Sequence, residues 1–600
     1  MKRETINIAL ISALALAACG CEGFLDTRMD VFDTVDRLET RSSTLNSFAV
    51  AYYTPMQYGF NVIDGNLFAA ASDEAEQTAT KSDVSAFNRG LISADFNPIS
   101  YLYDNYYEGI RAAHFFLEYA EDGEEFLALN RDTSTVYNPD GSIYATDMPR
   151  AYKRDVINLG WQRAEARIAE AYYYGELIKM YGGVPLVDDV DASGFARQAT
   201  YDEVVEHIVT LIDENKDKVR LDWRVALDET PENAVADVRN WNTRDEMGRF
   251  DKTSALAIKA RVLLYAASPR NNPDNDIDKW KRAAEAANDV IQTRKAIFQK
   301  GFGFGDAAGS EHPSYKMPVN RKYGDYFLKN NAANDVESIF LIRKAASSTP
   351  EELNYPVGTR GGHSGVCPTQ NLVDAYEYIG QKTMNPYANR DPRLEATIVT
   401  NGSTWNGKEI DESPKGAYDM KKEGASKTGY YLKKFLAPNL NLVEGGSTDH
   451  IWPLYRYAEV LLNYAEAMNE AYGPDADPEG YGMTARQALT EVRNSASTSL
   501  PAVTASSKQD FRKAVKNERR VELAFEDHRY WDLIRWLDAE SVLNKSIKGV
   551  RVTRNSLGGY QYSNPTVGSR VFENRHYYMP FTRKEIANSN GTLVQNPEYN

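Results

Sequence analysis

The chain has 600 residues, of which 42% are hydrophobic and 26% charged, a composition typical of a globular protein with a large core. Its formal net charge of −16 argues against nucleic acid as a partner, because a phosphate backbone requires a basic surface. The 38 tyrosines, 22 phenylalanines and 8 tryptophans raise the aromatic share to 11%. Aromatic side chains build cores, and they also supply flat faces that stack on ligands.

The first residues have the pattern of a lipoprotein signal peptide. A short basic start precedes an apolar run over residues 6–18, which is too short to span a bilayer of about 30 Å. The run ends in "LAAC", which resembles a bacterial lipobox. We therefore expect residues 1–18 to be a signal peptide and Cys19 to carry the lipid, with Cys21 as the alternative. An ordinary cleaved signal with incidental cysteines is the other interpretation.

After this signal, we expect a lipidated tether over residues 19–40 and a single domain over residues 41–600, because no long low-complexity stretch divides the chain. Only Cys367 then remains in the mature body. One cysteine cannot form an intrachain disulfide or a cysteine-based zinc site. Although His363 is close in the sequence, we interpret Cys367 as a small packing residue rather than a nucleophile.

Helical periodicity recurs along the chain and predicts a mainly α fold. The segments are Tyr103 to Glu121, Gly160 to Val187, one starting near Tyr201, Lys252 to Ser268, and Tyr455 to Gly473. Gly182 and Gly183 are expected to end the second of them. Small residues alternate with aromatics on successive segments, which permits close packing and resembles tetratricopeptide-type helix pairs.

Residues 300–365 differ in character, because they are rich in Gly, Asn, Ser and aromatic residues. Within them only "ESIFLIR", Glu337 to Arg343, has the pattern of a strand. A loop-rich insertion of this length inside a compact domain is more often functional than idle. We therefore expect a ligand-binding insertion here.

The stretch "NERRVELAFEDHRYWDLIRW", Asn517 to Trp536, concentrates acids, arginines and aromatics. We interpret it as one helix with an inner stripe of Val521, Phe525, His528 and Trp531. Charged residues on the adjoining stripe are expected to pair within the helix or with a neighbour, and such pairs fix packing geometry more than they add stability. The segment is therefore predicted to be structural rather than catalytic.

Several motifs occur together along the chain. They are "FLDT", "EARIAEAYYYGELIKMYGGVPLV", "ALAIKARVLLYAASP", "DPRLEATIV", "WPLYRYAEVLLNYAEAMNEA", "NERRVELAFEDHRYWDLIRW" and "HYYMPFTRKEIANSNGTLVQNPEYN". This combination, spanning Phe24 to Asn600, resembles the SusD/RagB family of outer-membrane nutrient-binding lipoproteins. Each motif is moderately specific, and together they are highly specific.

The resemblance implies a mainly α, SusD-like fold, in which tetratricopeptide-like helix pairs form a scaffold with a loop-rich insertion and few short strands. It also implies a lipid-anchored protein at the surface of the outer membrane, partnered by a SusC-like TonB-dependent barrel transporter. Family members capture oligosaccharides, or peptides in the RagB branch, without catalysis and without a cofactor. A peptide-binding member, a surface glycosidase and a helical scaffold without a small ligand are the alternatives.

Carbohydrate capture requires aromatic faces that stack on sugar rings and planar polar groups that bond to paired hydroxyls. A first region, Ser72 to Tyr103, offers both in a loop ahead of a well-formed helix. The candidate ligand-binding residues there are Asp73, Phe87, Arg89, Phe96, Asn97 and Tyr101. The alternative is a solvated loop whose aromatics pack on the scaffold.

The insertion is the second region with these residue types. Its candidates are Tyr323, Tyr326, Tyr355, Arg360 and His363. Neighbouring glycines would let the backbone approach a ligand closely. Trp405, in contrast, is expected to pack in the core.

Catalytic motifs are weak throughout the sequence. The 85 acidic residues always allow a carboxylate pair to be postulated, but no motif singles out two of them. The seven histidines show no metal-binding spacing, and "GFGFGDAAG" does not follow a strand as a phosphate-binding loop would. We therefore predict no catalytic residue, no metal ligand and no cofactor.

Overall fold

The structure is a computed structural model that describes residues 42–128, 147–187, 196–223, 247–300, 322–416, 418, 422–495 and 498–599. The expected signal peptide, the lipidation site Cys19, the alternative Cys21 and the tether lie outside these residues. So does the glycine-rich stretch of the insertion up to residue 321. Within the described ranges, no helix is both long enough and apolar enough to cross a membrane.

Helices dominate the described chain, as predicted. They are α1 (Ser42–Ala51), α2 (Val84–Asn88), α3 (Tyr101–Tyr119), α4 (Gly123–Ala128), α5 (Asp147–Tyr181), α6 (Tyr201–Asn215), α7 (Lys252–Ala267), α8 (Ile277–Lys300), α9 (Tyr323–Tyr326), α10 (Thr349–Asn354), α11 (Gln370–Val373), α12 (Arg393–Thr397), α13 (Tyr457–Tyr472), α14 (Ala485–Arg493), α15 (Lys508–Glu522), α16 (Arg529–Arg535), α17 (Ala539–Leu543) and α18 (Arg583–Asn588). The five segments predicted from periodicity all form helices, with ends shifted by a few residues except at the start of α5.

The long helices pack in succession, α3 on α5, α5 on α6, α6 on α7, α7 on α8, α8 on α13, and α13 on both α14 and α15. Small residues permit this packing, because a Cβ on Gly109 of α3 would lie only 2.3 Å from the ring of Tyr173 on α5. Local signals set several boundaries. Gly182 follows α5 with a φ of +78°, and Thr200 caps α6 by accepting from the backbone of Glu203.

Strands are short and pair two by two in antiparallel ladders. They are β1 (Ala75–Gln77), β2 (Ser338–Ser347), β3 (Val366–Pro368), β4 (Ile398–Val399), β5 (Thr404–Trp405), β6 (Lys408–Glu409), β7 (Tyr431–Leu432), β8 (Thr448–Arg456), β9 (Ile547–Lys548), β10 (Arg551–Arg554), β11 (Tyr560–Ser563) and β12 (Thr566–Gly568). The pairs are β1 with β3, β2 with β8, β4 with β7, β5 with β6, β9 with β12, and β10 with β11. The strand predicted at residues 337–343 is confirmed as the first part of β2.

The charged stretch at residues 517–536 is not one helix, contrary to the prediction. Helix α15 ends at Glu522, and α16 begins at Arg529. Between them Phe525 and Asp527 both adopt left-handed conformations with φ of +64°, which interrupts the helical hydrogen bonds. The resulting turn brings the carboxylate of Glu526 within 2.6 Å of Arg456 and 2.7 Å of Lys434, and these contacts hold the break in place.

The same stretch contributes to an extensive set of buried ion pairs, which we call the charged core. Its members are Arg393, Arg456, Arg519, Arg535, Glu466, Glu518, Glu522, Glu526 and Asp532, all of them buried. Glu522, for example, accepts hydrogen bonds of 2.7 Å from both Arg393 and Arg456. Buried charges persist only when paired, so these residues tie α12, α13, α15 and α16 and strand β8 into one arrangement.

Candidate functional site

The pairing of β1 with β3 brings the two predicted binding regions together. Gln77 stands opposite Val366 at one end of the ladder, and the backbone amide of Thr78 donates to the carbonyl of Gly365 at 2.9 Å. Because the strands are antiparallel, the chain leaving β1 and the chain entering β3 lie at the same end. The loop after residue 77 and the last part of the insertion are therefore neighbours in space.

A third segment, residues 57–66, joins these two. Asp64 accepts from the backbone amide of Asp83 at 3.0 Å, and Asn66 donates to Asn354 at 3.1 Å. Three segments, residues 57–66, 78–101 and 352–365, thus form one surface, which we call the loop face. Hydrogen bonds between backbone and side-chain groups hold these segments together, so the surface has a defined shape.

Five predicted site residues are exposed on the loop face. They are Arg89, Phe96, Tyr101, Arg360 and His363. Tyr101 is 37% exposed, and its hydroxyl donates to the carbonyl of Val62 at 2.9 Å, which fixes the direction of the ring. Burial raises the pKa of that hydroxyl to about 12, so it remains a neutral donor at physiological pH. Arg360 and His363 occupy the loop before β3.

Arg89 and Phe96 lie at the other end of the loop face, beside the C-terminal part of the chain. The carbonyl of Gly90 accepts from Arg575 at 3.2 Å, and Asp95 forms an ion pair with Arg583 at 2.6 Å. Phe96 is 46% exposed. These two candidates are available to a ligand, but nothing brings them into contact with Arg360 or His363.

Three candidates of the first region are buried and hold the fold instead. Asp73 accepts hydrogen bonds from Arg520 at 2.6 Å and Arg529 at 2.8 Å. Burial alone would raise the pKa of Asp73, but these two guanidinium groups outweigh it and hold the pKa well below its usual range. Phe87 packs edge-on against Phe68 and Tyr530, and Asn97 is buried at the start of α3.

The three tyrosines of the insertion are also buried, so they cannot stack on a ligand at the surface. Tyr323 donates to the carbonyl of Glu522 at 3.0 Å, and Tyr326 bonds to Ser338 at 2.7 Å. Tyr355 is 0% exposed and donates to the carbonyl of Ala437. Its ring meets Trp405 edge-on at 5.2 Å, and the burial of Trp405 confirms its predicted packing role.

Polar and aromatic residues on the segment that precedes both predicted regions were not among the predicted candidates. Gln57 and Asn61 lie beside the hydroxyl of Tyr101, and Tyr58 is half-buried next to them. The signal for them was the turn-rich sequence "TPMQYGFNVIDG", in which Pro and Gly alternate with polar and aromatic residues. Tyr58 adds an aromatic ring to the loop face, Gln57 adds a planar amide, and Asn61 adds a backbone carbonyl.

A partly open cavity lies beneath residues 57–62. It offers about 50 Å³ of space for the centres of water molecules and is lined by Gln57, Tyr106, Glu176, Lys179, Arg261 and Asp527, among others. A single water needs about 10–15 Å³ on this measure, so the cavity has room for a few waters and not for a sugar ring. Burial raises the pKa of Asp527 to about 7 despite the nearby Lys179. The cavity supports the loop face and is too small to receive an oligosaccharide.

A wider groove of about 520 Å³ on the same measure lies between α3 and α18. It is lined by Tyr103, Asp104, Tyr107, Glu108, Arg111 and Glu585, among others. Burial and the nearby Asp104 raise the pKa of Glu585. Tyr103, the last residue of the first predicted region, lines this groove, and the groove's carboxylates outnumber its single arginine.

The nucleophile alternative for Cys367 receives no support from its surroundings. The thiol is 0% exposed and donates to the carbonyl of Ser364 at 3.0 Å, while the ring of His363 is engaged with the carbonyl of Glu352 at 2.8 Å. Burial raises the pKa of the Cys367 thiol, which disfavours the reactive thiolate. In the described part of the chain, no group of three His, Cys, Asp or Glu side chains is placed to hold a metal ion.

Known proteins share both sequence and fold with this chain. The model of the SusD family matches residues 325–599. SusD-like protein P2 of Formosa agariphila is 24% identical over 455 residues, covering 73% of this chain and 74% of that protein. SusD-like protein P25 of the same organism is 38% identical over 314 residues, covering 48% of this chain and 56% of that protein.

The crystal structure of a SusD-like carbohydrate-binding protein from Bacteroides fragilis superposes with a TM-score of 0.67. It is 22% identical and covers 93% of this chain and 100% of that one, so the likeness concerns the fold. The mainly α fold expected from the sequence is thereby confirmed. The SusD family model over residues 325–599, the SusD-like curated relatives and the shared fold together support the SusD/RagB family for this chain.

Proposed function

We propose that this protein is a surface lipoprotein of the outer membrane that binds oligosaccharides on its loop face. It would pass them to a SusC-like TonB-dependent transporter and carry out no catalysis itself. The observation that carries the proposal is that three loop segments join into one surface on which polar side chains and the ring of Tyr101 are exposed. The Bacteroides fragilis structure, described as a carbohydrate-binding protein, supports the class of ligand.

The chemistry of the loop face suits a sugar chain. The Tyr101 ring offers an apolar face, while Gln57, Arg360 and His363 offer hydrogen-bonding groups at the same surface. A shallow surface site with few rigid contacts binds weakly, and weak binding suits a protein that hands its ligand on. The small cavity beneath would not trap the ligand.

Binding to a panel of purified polysaccharides, measured by affinity gels and calorimetry, tests this proposal. We expect at least one glycan to bind, and we expect Tyr101→Ala and Arg360→Ala each to weaken binding about tenfold. Asp104→Ala in the wider groove is the matched control and should leave the affinity unchanged, while all variants keep the wild-type melting temperature.

Other outcomes of the panel would contradict the proposal in distinct ways. Loss of binding in Asp104→Ala alone would move the site to the groove. Binding of peptides without any glycan would make the protein a peptide receptor. Release of reducing sugar would show that it is a glycosidase.

Lipid anchoring at Cys19 is part of the same proposal. Two or more acyl chains hold a protein firmly at a membrane, because each buried methylene contributes about 0.8 kcal/mol. We expect Cys19→Ala to abolish incorporation of radiolabelled palmitate in cells and Cys21→Ala to leave it intact. Labelling that persists in Cys19→Ala and disappears in Cys21→Ala would place the lipid on Cys21.

A further inference from the structure

The hairpin of β10 and β11 carries two tyrosines that pack partly against the core and remain partly exposed. Its register places Val552 opposite Tyr562 and Arg554 opposite Tyr560. Val552 is 1% exposed and anchors the hairpin in the core. Tyr560 and Tyr562, two residues apart on β11, point to the same side of the hairpin and are only partly buried. Because directly opposed residues share a side of an antiparallel pair, the tyrosines lie on the same side of the hairpin as Val552. They pack in part against the core and present the rest of their surface to solvent.

A third tyrosine extends this aromatic surface. The ring of Tyr387 lies 5.6 Å from that of Tyr562, nearly perpendicular to it, and Tyr562 lies 6.3 Å from Tyr560. We call Tyr387, Tyr560 and Tyr562 the tyrosine cluster. Each of the three rings is partly exposed. Arg554 lies over one face of Tyr560, 4.4 Å from the ring centroid, so a sugar ring would contact the remaining exposed parts of the rings.

Polar groups surround the cluster and hold its rings in place. The hydroxyl of Tyr560 donates to Glu409 at 3.1 Å and accepts from Arg554 at 2.9 Å. Asn401 donates to the hydroxyl of Tyr562 at 3.3 Å. Fixed rings beside a guanidinium, a carboxylate and an amide are the combination that paired sugar hydroxyls require.

Contacts connect the tyrosine cluster with the loop face. Gly358, next to Arg360, lies directly against the ring of Tyr418, since an added Cβ would be 2.2 Å from it. The amide of Tyr418 donates to the carbonyl of Asp411 at 3.2 Å, and the carboxylate of Asp411 pairs with Arg554 at 2.9 Å. The two surfaces are therefore joined through a few buried or half-buried residues.

We propose that the tyrosine cluster is a second contact surface for the same glycan chain. Sugar residues beyond those held at the loop face would stack on its rings and bond to Arg554 and Glu409. This inference rests on the proposed glycan-binding function. It predicts a preference for long chains, because a second linked contact raises the local concentration of the ligand at the first.

The test compares Tyr560→Ala/Tyr562→Ala with Gln561→Ala/Ser563→Ala, which alters the opposite side of the same strand. Affinities for a polysaccharide bound by the wild type, and for a short oligosaccharide cut from it, are measured by calorimetry. The tyrosine variant should bind the polysaccharide about tenfold more weakly and lose the preference for long chains. The control variant should bind both ligands as the wild type does.

A second variant, Tyr560→Phe/Tyr562→Phe, keeps the rings. It distinguishes the loss of ring contacts with the ligand from a loss of the hairpin fold. It should retain most of the affinity for the polysaccharide, and its melting temperature reports the structural cost of the missing hydroxyls. Equal polysaccharide affinity in the wild type and the alanine variant would overturn the inference and leave the proposed function standing. A wild-type protein that binds no glycan would overturn the proposed function, and this inference with it.

Discussion

Replacing Glu522 with glutamine is expected to destabilise the protein by about 3 kcal/mol or more, which is the usual cost of breaking a buried ion pair. Glu522 is 0% exposed and accepts 2.7 Å hydrogen bonds from Arg393 and Arg456. Glutamine keeps the shape, but it removes the negative charge and turns an amide donor toward one of the guanidinium groups. Urea unfolding followed by tryptophan fluorescence measures the change.

The matched control is Glu206→Gln, which removes an exposed partner of Arg282. That pair is 2.6 Å long, with side chains 57% and 43% exposed. Surface pairs contribute about 0.2–1 kcal/mol, so the control should change stability little. Equal losses in the two variants would show that the charged core contributes no more than a surface pair does.

Acid is expected to unfold the protein, with stability falling as the pH decreases from about 5 to about 2. Burial alone would raise the pKa of Glu522, but Arg456 and Arg393 lower it to about 2. Asp532, held by Arg519 and Arg535, also has its pKa lowered to about 2. The unfolded chain therefore binds more protons than the folded chain in this range, and the charges stabilise the fold only above it.

Each pKa unit corresponds to about 1.4 kcal/mol. The lowered pKa values of Glu522 and Asp532 therefore add several kcal/mol to the free energy of unfolding at neutral pH. Urea titrations at a series of pH values from 7 to about 3 should show this loss. Glu170→Gln provides the comparison, because His114, His207 and Arg167 lower the pKa of Glu170 to about 2 against the effect of burial. That variant should lose part of the pH dependence. A flat profile across the range would contradict the assigned pKa shifts.

The charged core also bears on function, because it carries no exposed acid that could serve in catalysis. Glu526 and His528, the residues of the charged stretch that most resemble an acid and a base, are both buried. Burial and the nearby Arg261 lower the pKa of His528 well below its usual value. The charged stretch thus fixes the relative positions of α15 and α16.

Much of the scaffold could be predicted because helix formation depends on local patterns. Helices α3 and α6 follow a periodic apolar stripe that is visible within the segment itself, whereas α7 and α13 are rich in alanine and leucine and are buried on almost every side. The turn at Phe525 and Asp527 was missed because its cause lies elsewhere, in the contacts of Glu526 with Arg456 and Lys434. Periodicity within one segment contains no information about partners about 70–90 residues away.

The proposed binding surface could be predicted only in part, for a related reason. Residue type identified Tyr101, Arg360 and Tyr355 alike as candidates, yet the first two are exposed and Tyr355 is fully buried. Tyr355 is buried by Trp405 and Ala437, which come from distant segments. The β1–β3 pairing that unites the loop face likewise joins residues far apart in the chain.

The sequence by itself determined the helical class, the family motifs and the loops that carry polar and aromatic side chains, because these follow from local composition and spacing. Only the tertiary structure decided which of those side chains reach solvent, where the charged stretch breaks, and which tyrosines form a surface on β11. Exposure is a property of contacts between distant segments, and folding alone brings those segments together.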